Sequence, residues 1–491
     1  GAAGEAMNIT HQLKKMDDSD LKTFRDRFQI PVPDEKLHEL PLHRPPEDSV
    51  EIQYLKKHRA ALGGGLPQRR RQSTALEVPP LSAFDAVLKG SGDRQISTTM
   101  AFVRFLSALV RDKKIGKRVV PIVPDESRTF GMEGMFRELG IFSQVGQLYK
   151  PEDSGQLMFY REHQKGQILQ EGICEPGAMS SWIAAASSYS THNVPMIPFY
   201  IFYSMFGFQR VGDLAWAAGD TRCRGFLLGG TAGRTTLNGE GLQHADGHSH
   251  VMASVIPNCV AYDPTFGYEV AVIIHQGLQR MLQNQEDLFY YITLMNENYV
   301  QPPMPDGVEE GILRGMYLLR DGGKSKGPRV QLMGSGTILR EVIAAAELLG
   351  NDFGVTADIW SVPSFTELRR EGLDAERWNM LHPMDKQRLS YVETCLADHP
   401  GPVVAASDYI KTFADQIRPY VPRRYRVLGT DGFGRSDERP RLRSFFEVDR
   451  YYVTLAALKN LADDEQIPAS RVQEAIKRYG INPEKPNPVT V

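Results

Sequence analysis

Three histidines, His244, His248 and His250, stand within seven positions of the segment LNGEGLQHADGHSH (residues 237–250), in a chain that holds twelve. Three chemistries compete for them: a metal cage, a set of proton carriers, or an inert polar turn. His-x-His and His-x-x-x-His spacings do occur in zinc and copper sites. Asp246-Gly247, however, interrupts any helix that would align positions 244 and 248, and neither an HExxH motif nor a cysteine lies nearby. Proton transfer is therefore the expectation. Three other stretches supply partners for it: VPDESRTFGMEGMF (123–136), LQEGICEPGAMSSW (169–182) and FYIFYSMFGFQR (199–210). Between them they offer the carboxylates Asp125, Glu126, Glu171 and Glu175 and the aromatics Tyr203, Phe206 and Phe208. Carboxylates and flat rings beside imidazoles suit acid/base work on a planar heterocycle.

These stretches are spread over more than a hundred residues, so only the fold can bring them together. From Ile96 the chain alternates between helical and strand-like apolar patterns. ISTTMAFVRFLSALVRD reads as a helix capped by Ser97 or Thr98, and RVVPIVPD as a strand. A helix around AMSSWIAAASSYS, the runs IPFYIFY, RGFLLGG and NCVAYDP, the helix EVAVIIHQGLQRMLQ and the strand LFYYITLM follow. Apolar strands separated by helices predict a mostly parallel sheet covered on both faces. Loops beyond the strands' carboxyl ends then converge on one edge, where all four chemical stretches can meet.

QPPMPDG (301–307) reads as a linker, after which the alternation restarts with VQLMGSGTILREVIAAAELL and runs to the helices VTLAALKNLA and RVQEAIKRYG. The expected class is α/β: two tandem doubly wound domains with mostly parallel sheets, 81–304 and 305–491, preceded by a connector over 1–80. Gly334-Ser335-Gly336 and residues 429–434 read as tight turns, since neither a third glycine of GxGxxG nor a Walker lysine follows.

Lys and Arg number 57 against 60 Asp and Glu, a formal charge of −3, so no basic field argues for nucleic acid. No run approaches the roughly 20 apolar residues of a membrane helix, and the opening lacks the apolar core of a signal peptide. Four scattered cysteines without a CxxC pair suit a reducing, cytoplasmic setting.

The segments EGICEPGAM, IPFYIFYSMFGFQRVGDLAWAAGD, GGTAGRTTLNGEGLQHADGHSH and NCVAYDPTFGYE resemble the homodimeric bacterial first components of pyruvate dehydrogenase complexes. These are thiamine-diphosphate-dependent decarboxylases of the transketolase superfamily. The resemblance continues through VLGTDGFGRSD to the carboxyl terminus. It implies a fold of a pyrimidine-binding domain followed by a transketolase-like carboxyl-terminal domain. It also implies that Glu175, as a buried acid, bonds the aminopyrimidine ring and promotes its imino tautomer. Ile173 becomes the apolar wedge under the bent cofactor and Phe206 the ring stacked on the pyrimidine. Tyr203, Glu126 and His244 stand near the substrate-derived adduct, with His248 and His250 in supporting parts and His250 able to exchange roles with His244. GEAMNITHQ resembles the family's active-site loop, which makes His11 the histidine used when the acetyl group passes to a lipoyl domain of the acetyltransferase, with Glu5 a helper.

The superfamily's Gly-Asp-Gly motif for Mg²⁺ and diphosphate is absent from the sequence. The resemblance thus implies that these residues are the middle and carboxyl-terminal part of a longer subunit. The metal ligands are expected on the amino-terminal part, and the whole as a homodimer decarboxylating pyruvate. A catalytically silent dimerisation or regulatory module of the same fold is the alternative.

Overall fold

The computed structural model describes residues 6–8, 12, 15–65, 70–124, 127–152, 154, 155, 160–324 and 327–491. The chain divides into two compact units, Gly1–Arg69 and Arg70–Val491. In the first, Asp17 caps helix α1 (Asp18–Arg27) and Ser49 caps α2 (Val50–Ala61), each side chain accepting a free backbone N–H of the first turn. Lys22 and Arg25 of α1 both pair with Asp34. No residue of either helix is buried, and Phe28, Leu42, Tyr54 and Leu55 are exposed.

The second unit holds two large sheets, besides two short two-stranded pairings. The first contains β1 (Val119–Val123), β2 (Leu169–Gln170), β3 (Ile197–Tyr203), β4 (Phe226–Gly230), β5 (Cys259–Tyr262) and β6 (Phe289–Thr293), in the order β2-β1-β3-β4-β6-β5. Every pairing in it is parallel. The side-chain period of two divides its apolar strands between two cores. Phe199 and Ile201 of β3, with Tyr290 and Ile292 of β6, pack on one face. Tyr200 and Phe202, with Phe289 and Tyr291, pack on the other. Helix α3 (Thr98–Val110), capped by Ser97, presses Phe102 and Phe105 into the first core; α4 (Glu175–His192) and α5 (Gly207–Asp220) cover the second with Trp182 and Phe208. A short helix, α6 (Ser249–Ala253), and α7 (Gly267–Leu278) follow β4 and β5.

The second sheet contains β7 (Tyr317–Arg320), β8 (Arg329–Gly334), β9 (Thr356–Ser361), β10 (Val403–Ala406) and β11 (Tyr425–Leu428), in the order β7-β9-β8-β10-β11. Only β7 runs antiparallel to its neighbour. Helices α8 (Ile338–Phe353), α9 (Phe365–Leu381), α10 (Arg439–Phe445), α11 (Arg450–Asp463) and α12 (Ala469–Arg478) complete it. Residues 70–80, expected within the connector, belong to this unit: Ser73 N–H donates to Gln285 and Leu76 N–H to Leu282 O.

The two sheets share a buried polar seam. Glu297 receives Arg443, Arg340 and Arg439, and Glu341 receives Arg443 and Arg450. Burial pushes the Glu297 carboxyl up, but Arg443, Arg340 and Arg439 outweigh it and hold the group below its ordinary range. Ser361 Oγ and Tyr317 OH donate to the buried Glu269 of α7, while Ser335 Oγ donates to the buried Asp263 at 2.7 Å. Gly336, in the turn after β8, has a φ of +51°, and its N–H meets Asp263 O. That glycine turn is used for seam packing. No helix among the described residues is long and apolar enough to cross a membrane.

Candidate active site

The carboxyl edge of the first sheet gathers the aromatic and acidic side chains. Tyr203 ends β3, and the single turn Ser204–Phe206 that follows carries Phe206 back towards it. The turn is tight at Gly207, where any Cβ would stand 2.1 Å from the Phe202 ring. The Tyr203 and Phe206 rings lie 5.8 Å apart edge-on, and the His244 ring lies 4.8 Å from Tyr203 and 5.4 Å from Phe206. Phe130 backs Tyr203 at 5.4 Å. Glu175 opens α4 immediately before Pro176, a position where the helix dipole favours a carboxylate. Its Oε1 accepts a hydrogen bond from Arg210 Nη1 at 2.7 Å, and the same guanidinium lies over the Phe206 ring, 4.1 Å from its centroid. One network thus joins the loops after β2, β3 and β4.

His244 is held by its loop. Arg234, buried among carbonyls, donates to Ala245 O, to Gly432 O at 2.6 Å and to Thr430 O, which ties the loop to the turn after β11. A Cβ on Gly247 would meet that guanidinium at 2.4 Å, so the loop closes around it only with glycine there. Asp408, from the loop after β10, accepts the N–H and hydroxyl of both Thr235 and Thr236 at 2.6–3.0 Å. Asp246 accepts the N–H groups of His248 and Ser249 and the Ser249 hydroxyl, which starts α6. With both flanks fixed, His244 presents a buried Nδ1 that has no hydrogen-bond partner among the described residues and stands 3.9 Å from Glu240 Oε2.

Phe208 and His250 depart from expectation. Glu175 is mostly buried, with 13% of its side chain exposed, and its charge is met by Arg210. Ile173 is 69% exposed. Phe208 faces the opposite way, edge-on to Tyr291 in the second core, because it is two residues beyond Phe206 on a helix. His250 cannot exchange roles with His244. It is fully buried between Tyr409, Phe413 and Tyr291, with Nε2 2.9 Å from Thr293 Oγ1. Thr293 gives its one proton to Asp263 at 2.7 Å, so it accepts from His250 Nε2–H. Burial holds this imidazole neutral, its pKa lowered to about 3. His248 is partly buried at the start of α6. Asp125, Glu126, Glu5 and His11 lie outside the described residues.

Arg210, Arg234, Asp408 and Phe130 also serve the site without standing out in the sequence. Arg210 did carry a signal, its spacing of four from Phe206. The other three act across long sequence separations that leave no local mark. Among the described residues, no group of three or more His, Cys, Asp or Glu stands close enough to hold a metal ion. An aromatic face and a carboxylate that together already hold a planar guanidinium do fit a flat, nitrogen-bearing ring.

Two family models match successive parts of the chain: the pyruvate dehydrogenase E1 component middle domain over residues 76–302, and the transketolase-like TK C-terminal domain over 315–449. The pyruvate dehydrogenase E1 component of Pseudomonas aeruginosa is 66% identical over 488 residues, which are 99% of this chain and 55% of that protein. The chain belongs to the pyruvate dehydrogenase E1 component family. Another member, from Escherichia coli strain K12, is 56% identical over 491 residues, again 99% of this chain and 55% of the relative. This E1-family chain therefore spans little more than half the length of the curated relatives it matches. Its fold is that of transketolases: the Campylobacter jejuni enzyme superposes with a TM-score of 0.58 at 15% identity, over 90% of this chain and 59% of that one.

Proposed function

We propose that this chain forms the pyrimidine side of a thiamine-diphosphate-dependent pyruvate decarboxylase, the first enzyme of a pyruvate dehydrogenase complex. The observation that carries the reading is the single network of Glu175, Arg210, Phe206, Tyr203 and His244 at the carboxyl edge of the first sheet. Bound thiamine diphosphate supplies a thiazolium that accepts the electrons released when carbon dioxide leaves a 2-oxo acid. The protein's part is to bind, orient and move protons. Glu175 holds a proton against the aminopyrimidine ring nitrogen, and Phe206 supports the ring face. Ile173, exposed beside Glu175, has an apolar side chain free to take cofactor surface.

His244, whose Nδ1 has no hydrogen-bond partner among the described residues, exchanges a proton with the carbonyl oxygen of the substrate. Tyr203 packs beside it and keeps water from that oxygen. Glu126 serves the substrate side, and His11 serves transfer of the acetyl group to a lipoyl domain. Mg²⁺ and diphosphate fall to an amino-terminal part of the subunit, and the active assembly is a cytoplasmic homodimer.

Calorimetric titration with thiamine diphosphate and Mg²⁺, with and without a separately produced amino-terminal polypeptide from the same subunit, tests this. Binding is expected in the complemented sample. Absence of binding from both samples overturns the proposal and favours a silent dimerisation or regulatory module. In the complemented enzyme Glu175→Gln is expected to reduce pyruvate decarboxylation at least about 100-fold. Undiminished turnover refutes the assignment of Glu175.

A further inference from the structure

Arg210 already occupies the two features that a flat heterocycle would use. Its Nη1 donates to Glu175 Oε1 at 2.7 Å, and its guanidinium carbon lies 4.1 Å from the centroid of the Phe206 ring. The other ring neighbours of Phe206 lie farther off and steeply inclined, Tyr203 at 76° and His244 at 51°, so neither stacks on it. A guanidinium is planar, offers N–H donors along its edge and stacks on aromatic faces. An aminopyrimidine is likewise planar, stacks on aromatic faces and presents nitrogen along its edge, where the proton held by Glu175 joins the two. Arg210 follows Phe206 by four residues on α5, and 47% of its side chain is exposed, so a rotation of its own torsions carries it into solvent without disturbing the helix.

We propose that Arg210 is a built-in competitor for the aminopyrimidine of the cofactor. This deepens the reading of Glu175 and Phe206 given above and rests on it. In the free chain Arg210 fills the half-site, neutralises Glu175 and covers the Phe206 face. A ligand enters by replacing both contacts at once. The arginine thereby selects for planar rings with an edge nitrogen that can share a proton with the carboxyl, since a flat hydrocarbon replaces only the stack and an amine only the ion pair. Displacement of the competing state lowers the apparent affinity by the fraction of chains in which the half-site is open.

Thiamine diphosphate with Mg²⁺, titrated calorimetrically into the chain complemented with its amino-terminal polypeptide, measures the effect. A half-exposed ion pair and a solvent-accessible cation–π contact together set its scale, so Arg210→Ala is expected to tighten binding on the order of tenfold. Arg210→Lys, which keeps a charge but loses the planar stack, is expected to fall between it and the unmodified chain. In a Glu175→Gln background the gain from Arg210→Ala is expected to shrink, because half of the contact is already gone. If Glu175→Gln weakens binding while Arg210→Ala leaves it unchanged or weaker, Arg210 is no competitor and the reading of Glu175 stands. If Glu175→Gln leaves the affinity unchanged, or no sample binds, the parent reading fails and takes this one with it.

Discussion

Replacing Asp408 by alanine should release the loop that carries His244. The carboxylate is fully buried, and burial pushes its pKa up against the opposing pull of Thr235 and Thr236. Its two oxygens accept two backbone N–H groups and two hydroxyls at 2.6–3.0 Å. Thr236 Oγ1 retains Thr337 Oγ1 as a neighbour, so its hydroxyl can turn to another partner. The two amides have no other acceptor among the described residues. Each hydrogen bond to a charged group contributes about 1.5–3 kcal/mol, and leaving a buried donor unpaired costs about 1–3 kcal/mol. Removing the carboxylate relieves its own desolvation, so the net loss for the loop is about 3–4 kcal/mol. At about 1.4 kcal/mol per tenfold, that is a rise in local opening of roughly a hundred- to a thousandfold. Hydrogen–deuterium exchange with peptide-level mass spectrometry over residues 231–248 reads it directly. Asp408→Asn, which keeps one carbonyl oxygen, should fall between the two. Exchange within threefold of the unmodified chain would show that Asp408 does not hold this loop.

Two further tests concern the same scaffold. Burial raises Asp263 from 3.8 to about 7, so the folded chain keeps a proton that the unfolded chain releases between those values. The stability it contributes is complete below about pH 4 and is lost as pH rises towards 7, by up to about 1.4 kcal/mol per unit. Asp263→Asn should flatten that slope in denaturant midpoints taken at pH 4.5 and 7.5, and an unchanged slope would assign the dependence to other groups. Gly207→Ala places a Cβ 2.1 Å from the Phe202 ring and should cost about 1–3 kcal/mol, seen as a lower Tm. An unaltered Tm would mean that the turn before α5 yields easily.

Much of the architecture was legible because its signals are local. The cap at Ser97, the buried runs of β1, β3, β4 and β6 and the restart after residue 307 all rest on periodicity and breakers within a few residues. The convergence of Glu175, Tyr203, Phe206 and His244 followed from one topological rule, that parallel strands send their loops to a single edge. What could not be read depends on distant partners. The fate of His250 is decided by Tyr409 and Phe413, more than 150 residues further on, which turn a candidate proton carrier into a neutral core ring. Phe206 and Phe208 are the same residue type two positions apart, and only the helix start at Gly207 sends one to the site and the other inward. The charge of Glu175 is met by Arg210, 35 positions away.

The arginines around Glu297 and Glu341 bear on any attempt to dissect the molecule. A cut near residue 305 looks natural from the polypeptide's own punctuation, yet it would strand Glu297 on one piece and Arg340, Arg439 and Arg443 on the other. Each piece would then expose or bury an orphaned ion at a surface shaped for its mate. The two halves are better produced as one gene product, or brought together again before either is asked to do anything.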